Sequence, residues 1–549
     1  MKRSLIATIL PTLVLSLLIS LASCTSGGSN NIDEELEGEI TIMMWSGDGS
    51  YLEDIGHKVF TAEELFGQNQ AAAYATARAF NQIYPNVKIN IFAKRNDPNQ
   101  DDAGNYYSWA QHMEDFKDEH GKYPDVYAAT DLPGDIKKGI VADLSRFKDD
   151  PMYKKFNPGI MKMMNYYGFQ AGLPQYLLPW GVYVNKTLAN DHNIDIPDPD
   201  WTIEEYTDFV LQGNKETFWG AMDTPISFLS TGTNHYVKSL VNWTGEGDFV
   251  DLANEEIFEL LEYYHEWSEN SIWTSWDKGE IPEDEMVAMG EWWSYNYFKN
   301  GYTLTLDGDP WMMGDLAHPD PTHWGAATFD DWDIYPRPST DYVDNTVGVV
   351  LDPMAVHNYC IDDGNPECTE EEIKKIEVAY RFVAFWCGDT RAWRARAEQQ
   401  FQDGLLLKTA LNDSLPIVTG DDFDEQMEIW YSVPTHQRFA DKEKMPGWQK
   451  ILELWEKGQI WDISDKAFPY RTTDDQDQVV ECAYEWINMW DPAVTGLPRF
   501  DDAWLGTVKG LLPEWNETIN GRFEKAFNEL KAALKDFYGF TDEDLANFR

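Results

Sequence analysis

Apolar positions along this chain alternate between two periods. Glu39 to Trp45 reads Glu-Ile-Thr-Ile-Met-Met-Trp and stops at Ser-Gly-Asp-Gly, which predicts a strand ending in a turn. Over 70–84, Ala73, Ala77, Phe80 and Tyr84 recur at helical spacing, and Pro85 ends that helix. Val87, Ile89 and Ile91 then alternate as a strand. Asp125 to Ala129 is a further short strand, followed by Asp-Leu-Pro-Gly. Strand, helix, strand in this order predicts a parallel sheet with helices on its faces.

Later helices announce their own starts. Thr202-Ile-Glu-Glu205 is a capping box before an amphipathic run. Thr369-Glu-Glu-Glu372 is another, leading into Ile373, Ile376, Tyr380, Val383 and Trp386. Near the C-terminus Phe523, Ala526, Phe527, Leu530, Ala533, Leu534 and Phe537 form one stripe, the buried face of a helix. No internal repeat or low-complexity segment interrupts the fold.

The N-terminus has a different character. Lys2 and Arg3 precede an apolar run, Leu5 to Ala22, broken by Thr8, Pro11, Thr12, Ser16 and Ser20. This is the pattern of an export signal, which is excluded from the fold. It closes on Leu21-Ala22-Ser23-Cys24, which resembles a bacterial lipobox. That resemblance implies cleavage before Cys24 and diacylation of its thiol. Two acyl chains hold a protein stably on a bilayer, where one does not. The alternatives are an ordinary secretory signal or a single membrane span. Residues 25–38 begin Thr-Ser-Gly-Gly-Ser-Asn-Asn and turn acidic, which reads as a flexible tether. No further apolar run of about eighteen residues follows, so no second span is expected.

Composition narrows the partners. With 95 Asp and Glu against 43 Lys and Arg, the chain carries a formal charge of −52. That field repels nucleic acid and anionic headgroups, and it disfavours an anionic ligand. Apolar content of 43% supports large cores, and the 549-residue length allows more than one domain. Aromatic residues reach 14%, with 24 Trp; a flat apolar face with a polar edge suits sugar rings. Beyond Cys24 lie Cys360, Cys368, Cys387 and Cys482. An exported chain permits disulfides, and four cysteines allow three pairings. Cys360 and Cys368 flank the turn-rich Asp-Asp-Gly-Asn-Pro, a stretch able to close a small bridged loop. No cysteine or histidine spacing suits zinc, and the acidic loop 97–108 lacks the sixth-position glycine of a calcium loop. No metal or cofactor is expected.

Several segments, taken in order, carry a resemblance. They are Ala79-Phe80-Asn81-Gln82-Ile83-Tyr84-Pro85-Asn86-Val87, Tyr123-Pro124-Asp125-Val126, Gly139-Ile140-Val141-Ala142-Asp143-Leu144, Gly172-Leu173-Pro174-Gln175-Tyr176 with Tyr183-Val184-Asn185-Lys186, Pro199-Asp200-Trp201-Thr202, Met286-Val287-Ala288-Met289-Gly290-Glu291-Trp292-Trp293, and Ile334-Tyr335-Pro336-Arg337-Pro338 with Val347-Gly348-Val349. In this order they resemble the family-one extracellular solute-binding proteins of ABC importers, the group that includes maltose-binding protein. The chain is longer than a typical member, which places insertions between 302 and 332 and between 388 and 500. It also departs at Gly290-Glu291-Trp292 and in a thinner glycine-rich loop near Gly348, both expected ligand loops.

The resemblance implies an α/β, two-lobe, periplasmic-binding-protein-like (type II) fold, with hinge crossovers near 176–182 and 336–347 and a ligand cleft between the lobes. Residues 1–23 are then the signal peptide, and 24–38 the anchor and tether. Residues 39–176 with about 345–460 form the N-lobe, and 183–335 with about 461–549 the C-lobe. Asp48 and Asp131 sit on loops after strands, where open sheets place ligands; either could instead cap a helix. Trp45, Tyr176, Trp180 and Trp293 are the aromatic candidates, with Trp292 the alternate to Trp293 because neighbours face opposite ways. Gly348 allows close backbone approach or makes a turn. Arg471 reads as a ligand clamp or a surface ion pair.

The function implied is capture of a small polar solute, a sugar or oligosaccharide. A monomer anchored by lipid on the extracytoplasmic face of the membrane would pass it to an ABC permease. The chain shows no nucleophile elbow, zinc histidine pair or phosphate loop, so it is not read as an enzyme. The alternatives are a surface glycan-binding lipoprotein and a secreted glycoside hydrolase, which needs two carboxylates about 5–10 Å apart in one cleft.

Overall fold

In the computed structural model the described strands form two main sheets and two small hairpins. The described residues are 32–546, apart from 48–49, 62–63, 66, 96–108, 223–246, 309, 342, 362–367, 400–410, 412, 463–465, 475, 477 and 499–500. The signal peptide, Cys24, Asp48 and the acidic loop 97–108 lie outside them.

The first sheet is built from β1 (Glu37–Gly47), β2 (Tyr51–Leu52), β3 (Asn86–Arg95) and β4 (Val126–Ala128). A small hairpin, β5 (Asn165–Tyr166) and β6 (Phe169–Gln170), precedes the long β7 (Leu173–Trp180). The second sheet uses β8 (Val182–Val184), β9 (Trp219–Ala221), β10 (Thr303–Asp307) and β11 (Asp333–Tyr335). The chain then returns to the first sheet with β12 (Val347–Val356) and β13 (Ile460–Asp462), and ends its strands in a hairpin, β14 (Arg471–Thr473) and β15 (Val479–Glu481).

Among the described residues the first sheet has seven strands, ordered β13-β12-β4-β1-β3-β2 with β7 paired to β12. The second runs β11-β8-β10-β9. The expected parallel sheet is present as β1 beside β3 and β4, but both sheets are mixed. β12 runs antiparallel to β4 and β7, and β8 antiparallel to β10 and β11. The cause is topological. β7 and β8 carry the chain out of one lobe and into the other, and β12 brings it back, so these strands oppose their neighbours.

Helix Gln68–Asn81 packs on β1 and β3, with Ala73, Ala77 and Phe80 fully buried and the Phe80 ring against Phe382 and Phe385 of helix Glu370–Gly388. Both sequence capping boxes form: Thr202 opens helix Ile203–Val210 and Thr369 opens Glu370–Gly388, each with its reciprocal Glu contact. Such a cap satisfies two backbone donors that a helix start otherwise leaves open.

The first core fills the β1–β4 lobe. It continues without a break into Tyr183, Phe298, Leu306, Trp332 and Ile334 of the second lobe. A second core gathers Trp201, Tyr206, Tyr264, Trp267, Trp486 and Trp504. The C-terminal helix Trp504–Tyr538 belongs to both: Val508, Ile519 and Phe523 face the second core, and Leu530, Ala533 and Leu534 the first. Cys360 and Cys368 form a disulfide, while Cys387 and Cys482 are buried free thiols. No described helix is long and apolar enough to cross a membrane.

Candidate functional site

The crossovers define where a site can lie. β7 ends at Trp180 and β8 begins at Val182, so the first passage turns on Gly181. A Cβ there would stand 2.5 Å from the Tyr335 carbonyl oxygen. The second passage runs from Tyr335 to Val347, where Arg337 bridges to Thr346.

At this junction side chains from the ends of β7 and β10 and from the second crossover meet. The Trp180 indole N–H donates to Asp307 Oδ1 at 2.8 Å. Arg337 Nη2 donates to the same oxygen at 3.1 Å. Asp307 and Arg337 are buried, with side chains 7% and 2% exposed, so the pair is shielded from screening. Gly308, at φ +141°, passes under the Trp180 ring; a Cβ there would lie 3.3 Å from it. The sequence reading missed Asp307 and Arg337. The one available signal was an arginine between two prolines at a crossover.

The first lobe carries polar contacts of its own. Tyr176 is 3% exposed, and its hydroxyl donates to Asn69 Oδ1 at the start of helix Gln68–Asn81. Burial pushes its phenol well above the usual range. Beside it lies Arg396, whose guanidinium burial lowers to about 10. Gln70 donates to Ser50 on the loop after β1 at 2.8 Å. Asp131 acts as the N-cap of helix Leu132–Lys137, accepting from the Gly134 amide at 2.9 Å. The neighbouring Leu132 amide bonds to the carbonyl of Lys466, which pairs with Asp352.

The second lobe supplies rings. β9 and β10 run parallel, so their carboxyl ends share the edge that carries Asp307. Helix Ile272–Asp277 starts at that edge, because the Trp273 amide bonds to the Met222 carbonyl just past β9. Helix Ser294–Lys299, with Trp293 as its N-cap and Trp292 just before it, leads back into β10. Trp273, Trp276 and Trp292 form a mutual cluster with centroids 5.0–6.0 Å apart. Trp293 stacks on Trp324 at 6.0 Å. Open α/β sheets bind ligands at the carboxyl ends of their strands.

The sequence candidates therefore divide. Trp180 and Gly348 are brought together, since they are register partners in β7 and β12. Gly348 is not in a loop or turn as expected. It lies inside β12 between Trp180 and Trp461, because the crossover leaves this strand long enough to pair on both sides. Tyr176 is interior, Asp131 is a cap, and Trp293 is half-buried on the opposite lobe. Trp45 lies on β1, and Asp48 falls outside the described residues. Arg471 faces Glu481 at 4.0 Å across the β14–β15 hairpin, the ion-pair alternative. Among the described residues no group of three or more His, Cys, Asp or Glu side chains is placed to hold a metal.

No protein-family model and no curated relative matches the sequence. Solved structures do share the fold. A cyclic alpha-maltosyl-1,6-maltose binding protein from Arthrobacter globiformis superposes with a TM-score of 0.50 at 14% identity, over 91% of this chain and 100% of that one. An ABC transporter solute binding protein from Thermotoga lettingae, bound with alpha-D-tagatose, gives 0.51 at 13%, over 88% and 100%. A family 1 extracellular solute-binding protein from Alicyclobacillus acidocaldarius gives 0.50 at 12%, over 89% and 100%. The chain thus has the two-lobe fold of solute-binding proteins.

Proposed function

We propose that this chain is an extracytoplasmic solute-binding lipoprotein that captures a sugar or oligosaccharide and delivers it to an ABC importer. The observation that carries the reading is the junction of Trp180, Asp307 and Arg337, with tryptophans along the adjoining carboxyl edge, in a fold shared with sugar-binding structures. A sugar buried between lobes needs partners for its hydroxyls, since an unpaired buried polar group costs about 1–3 kcal/mol. It also needs flat apolar faces for its rings. The polar junction and the neighbouring rings support that reading, and the acidic chain favours a neutral guest. Lobe closure about Gly181 and 336–346 would trap the ligand and create the surface a permease reads. The chain would act without turnover, as a monomer held to the membrane through lipid on Cys24.

A thermal-shift screen of mono- and oligosaccharides tests the binding role, because a ligand of the native state raises the melting temperature by mass action. A concentration-dependent rise with at least one sugar is expected. No rise with any sugar, together with one for peptides or polyamines, overturns the sugar assignment; hydrolysis of a binding sugar overturns the non-enzymatic one. Labelling with a clickable fatty acid, lost in Cys24→Ser, tests the anchor.

A further inference from the structure

Helix Pro446–Glu456 spans the hinge. Its far end belongs to the first lobe. There the Trp455 indole donates to the Pro416 carbonyl, and the Gln459 carbonyl, just beyond the helix, accepts from the Val347 amide at the head of β12. Its near end lies on the second lobe. Gly447 sits so close to β11 that a Cβ there would stand 2.3 Å from the Tyr335 ring and 2.5 Å from the Ile334 carbonyl oxygen. Between the two ends Ile451 reaches the first crossover, where a Cβ on Gly181 would lie 3.1 Å from its Cδ1. The helix therefore touches both passages between the lobes.

Met445, the N-cap, offers the first-turn amides no side-chain acceptor. The acceptor comes from the other lobe. Asp333, fully buried at the start of β11, accepts from the Gly447 amide at 2.8 Å and the Trp448 amide at 3.2 Å, and from its own neighbour Ile334 at 2.8 Å. Two cations stand near it, Lys186 at the start of helix Lys186–Asp191 and Arg438 on the turn Gln437–Ala440. Each pairs with Asp331 at 3.3 Å, and among the described residues neither pairs with Asp333. Lys450 and Glu453, farther along the helix, pair with each other at 3.9 Å. On β8 the register partner is Val184, and the Tyr335 hydroxyl is taken up by the Pro197 carbonyl. An ionised carboxyl in this place has neither water nor a paired cation, and backbone amides offset only part of that loss. Burial accordingly pushes it up to about 6, against the pull of the amides and Lys186.

We propose that Asp333 is a proton-controlled pin of the hinge: neutral, it holds the start of helix Pro446–Glu456 against β11, and ionised, it lets that contact open. It is a positioning residue, acting on how freely the lobes turn. Its bearing on capture rests on the lobe-closure reading above, whereas the opening itself needs no ligand. Once the contact opens, Asp333 returns to water and to its ordinary value of 3.8. The pinned form then prefers the proton, so opening is hardest below about pH 4, eases up to about pH 6 and is level above. Between pH 5 and pH 7 the opening constant should rise about tenfold.

The test is native-state hydrogen exchange of the full mature chain without ligand, read by mass spectrometry on peptides carrying the Gly447 and Trp448 amides and corrected for the intrinsic effect of pH. The parent should show the tenfold rise, and Asp333→Asn should open as rarely at pH 7 as at pH 5. These amides should also exchange faster than those of β3, which open only with global unfolding. The parent's own pH profile decides the matter should the variant fail to fold. As a second readout, spin labels on Asp118→Cys and Asp208→Cys, exposed helix positions of the first and second lobes, should report a broader interlobe distance at pH 7 than at pH 5. Exchange independent of pH, exchange no faster than in β3, or an interlobe distance that does not respond to pH overturns the pin. Each of these leaves the sugar-binding reading standing, since that reading is tested by ligand alone.

Discussion

The indole N–H of Trp180, the last residue of β7, donates across 2.8 Å to the carboxylate of Asp307, the last residue of β10. One bond thus ties a strand of the first sheet to a strand of the second. Arg337, on the second crossover, holds the other side of that oxygen. Removing the carboxylate leaves a guanidinium 2% exposed without the acid that faces it. Asp307→Ala is expected to destabilise the fold by about 3–5 kcal/mol, the cost of breaking a buried ion pair from one side. Trp180→Phe loses the hydrogen bond and part of the ring's packing but strands no charge, so it should cost less, about 1–2 kcal/mol. Urea denaturation of both variants checks the order; equal losses would show that the junction is not a charge pair in energetic terms.

Local signals carried the elements, and they worked where one element supplies all the information. The boxes at Thr202 and Thr369 each need four consecutive residues, and both form. The C-terminal stripe predicted a helix with a buried face, and Phe523 to Leu534 are buried along it. That the stripe serves two cores was not legible, because periodicity reports a face and not its partner. The junction was hidden for a related reason. Trp180, Asp307 and Arg337 come from three segments far apart in sequence, and nothing local tells a buried arginine from a surface one. Asp131 shows the converse: an aspartate after a strand suits a ligand loop and a helix start equally, and here its carboxylate caps.

Asp333 gives the fold a pH dependence of unusual sign. It is fully buried at the start of β11, where it accepts from the Gly447 and Trp448 amides at 2.8 and 3.2 Å. Desolvation pushes its carboxyl up to about 6, against 3.8 for the ordinary group. The native state then holds a proton that the unfolded chain has lost, so this residue's contribution to stability falls as pH rises from about 4 to 6 and is level above. The size is about 3 kcal/mol, at 1.36 kcal/mol per unit of pH. Asp333→Asn removes the effect. The stability of the variant relative to the parent should climb across that window in denaturant titrations at several pH values. A flat difference rejects it.

The cysteines divide into one constraint and two inert thiols. The Cys360–Cys368 disulfide closes a short loop, with a sequence separation of 8. Chain entropy gives such a loop about 2–3 kcal/mol of stabilisation. Burial pushes the Cys482 thiol up to about 12 and raises Cys387 further, so neither offers thiolate near neutral pH. In a chain starting after Cys24, a thiol reagent should find no reactive group in the native protein, two after unfolding and four after reduction. A fast-reacting thiol in the native state would contradict the burial of both.

Two glycine substitutions should move stability in opposite directions. At Gly181 a methyl group meets the Tyr335 carbonyl at 2.5 Å and Ile334 Cγ1 at 2.7 Å, so the first crossover has to shift away from β11. Overpacking of this kind costs about 1–3 kcal/mol. Gly510 sits inside helix Trp504–Tyr538, and a methyl group added there has open space for 4 Å around it. Gly510→Ala should gain about 0.5–1 kcal/mol from helix preference alone. Because Gly181 lies where the lobes join, Gly181→Ala should also weaken any ligand that needs closure, while Gly510→Ala leaves affinity alone. Melting curves taken with and without the sugar found by screening separate the two effects. Loss of stability at Gly181 with full affinity would mean that this crossover holds the lobes together but does not bend when they close.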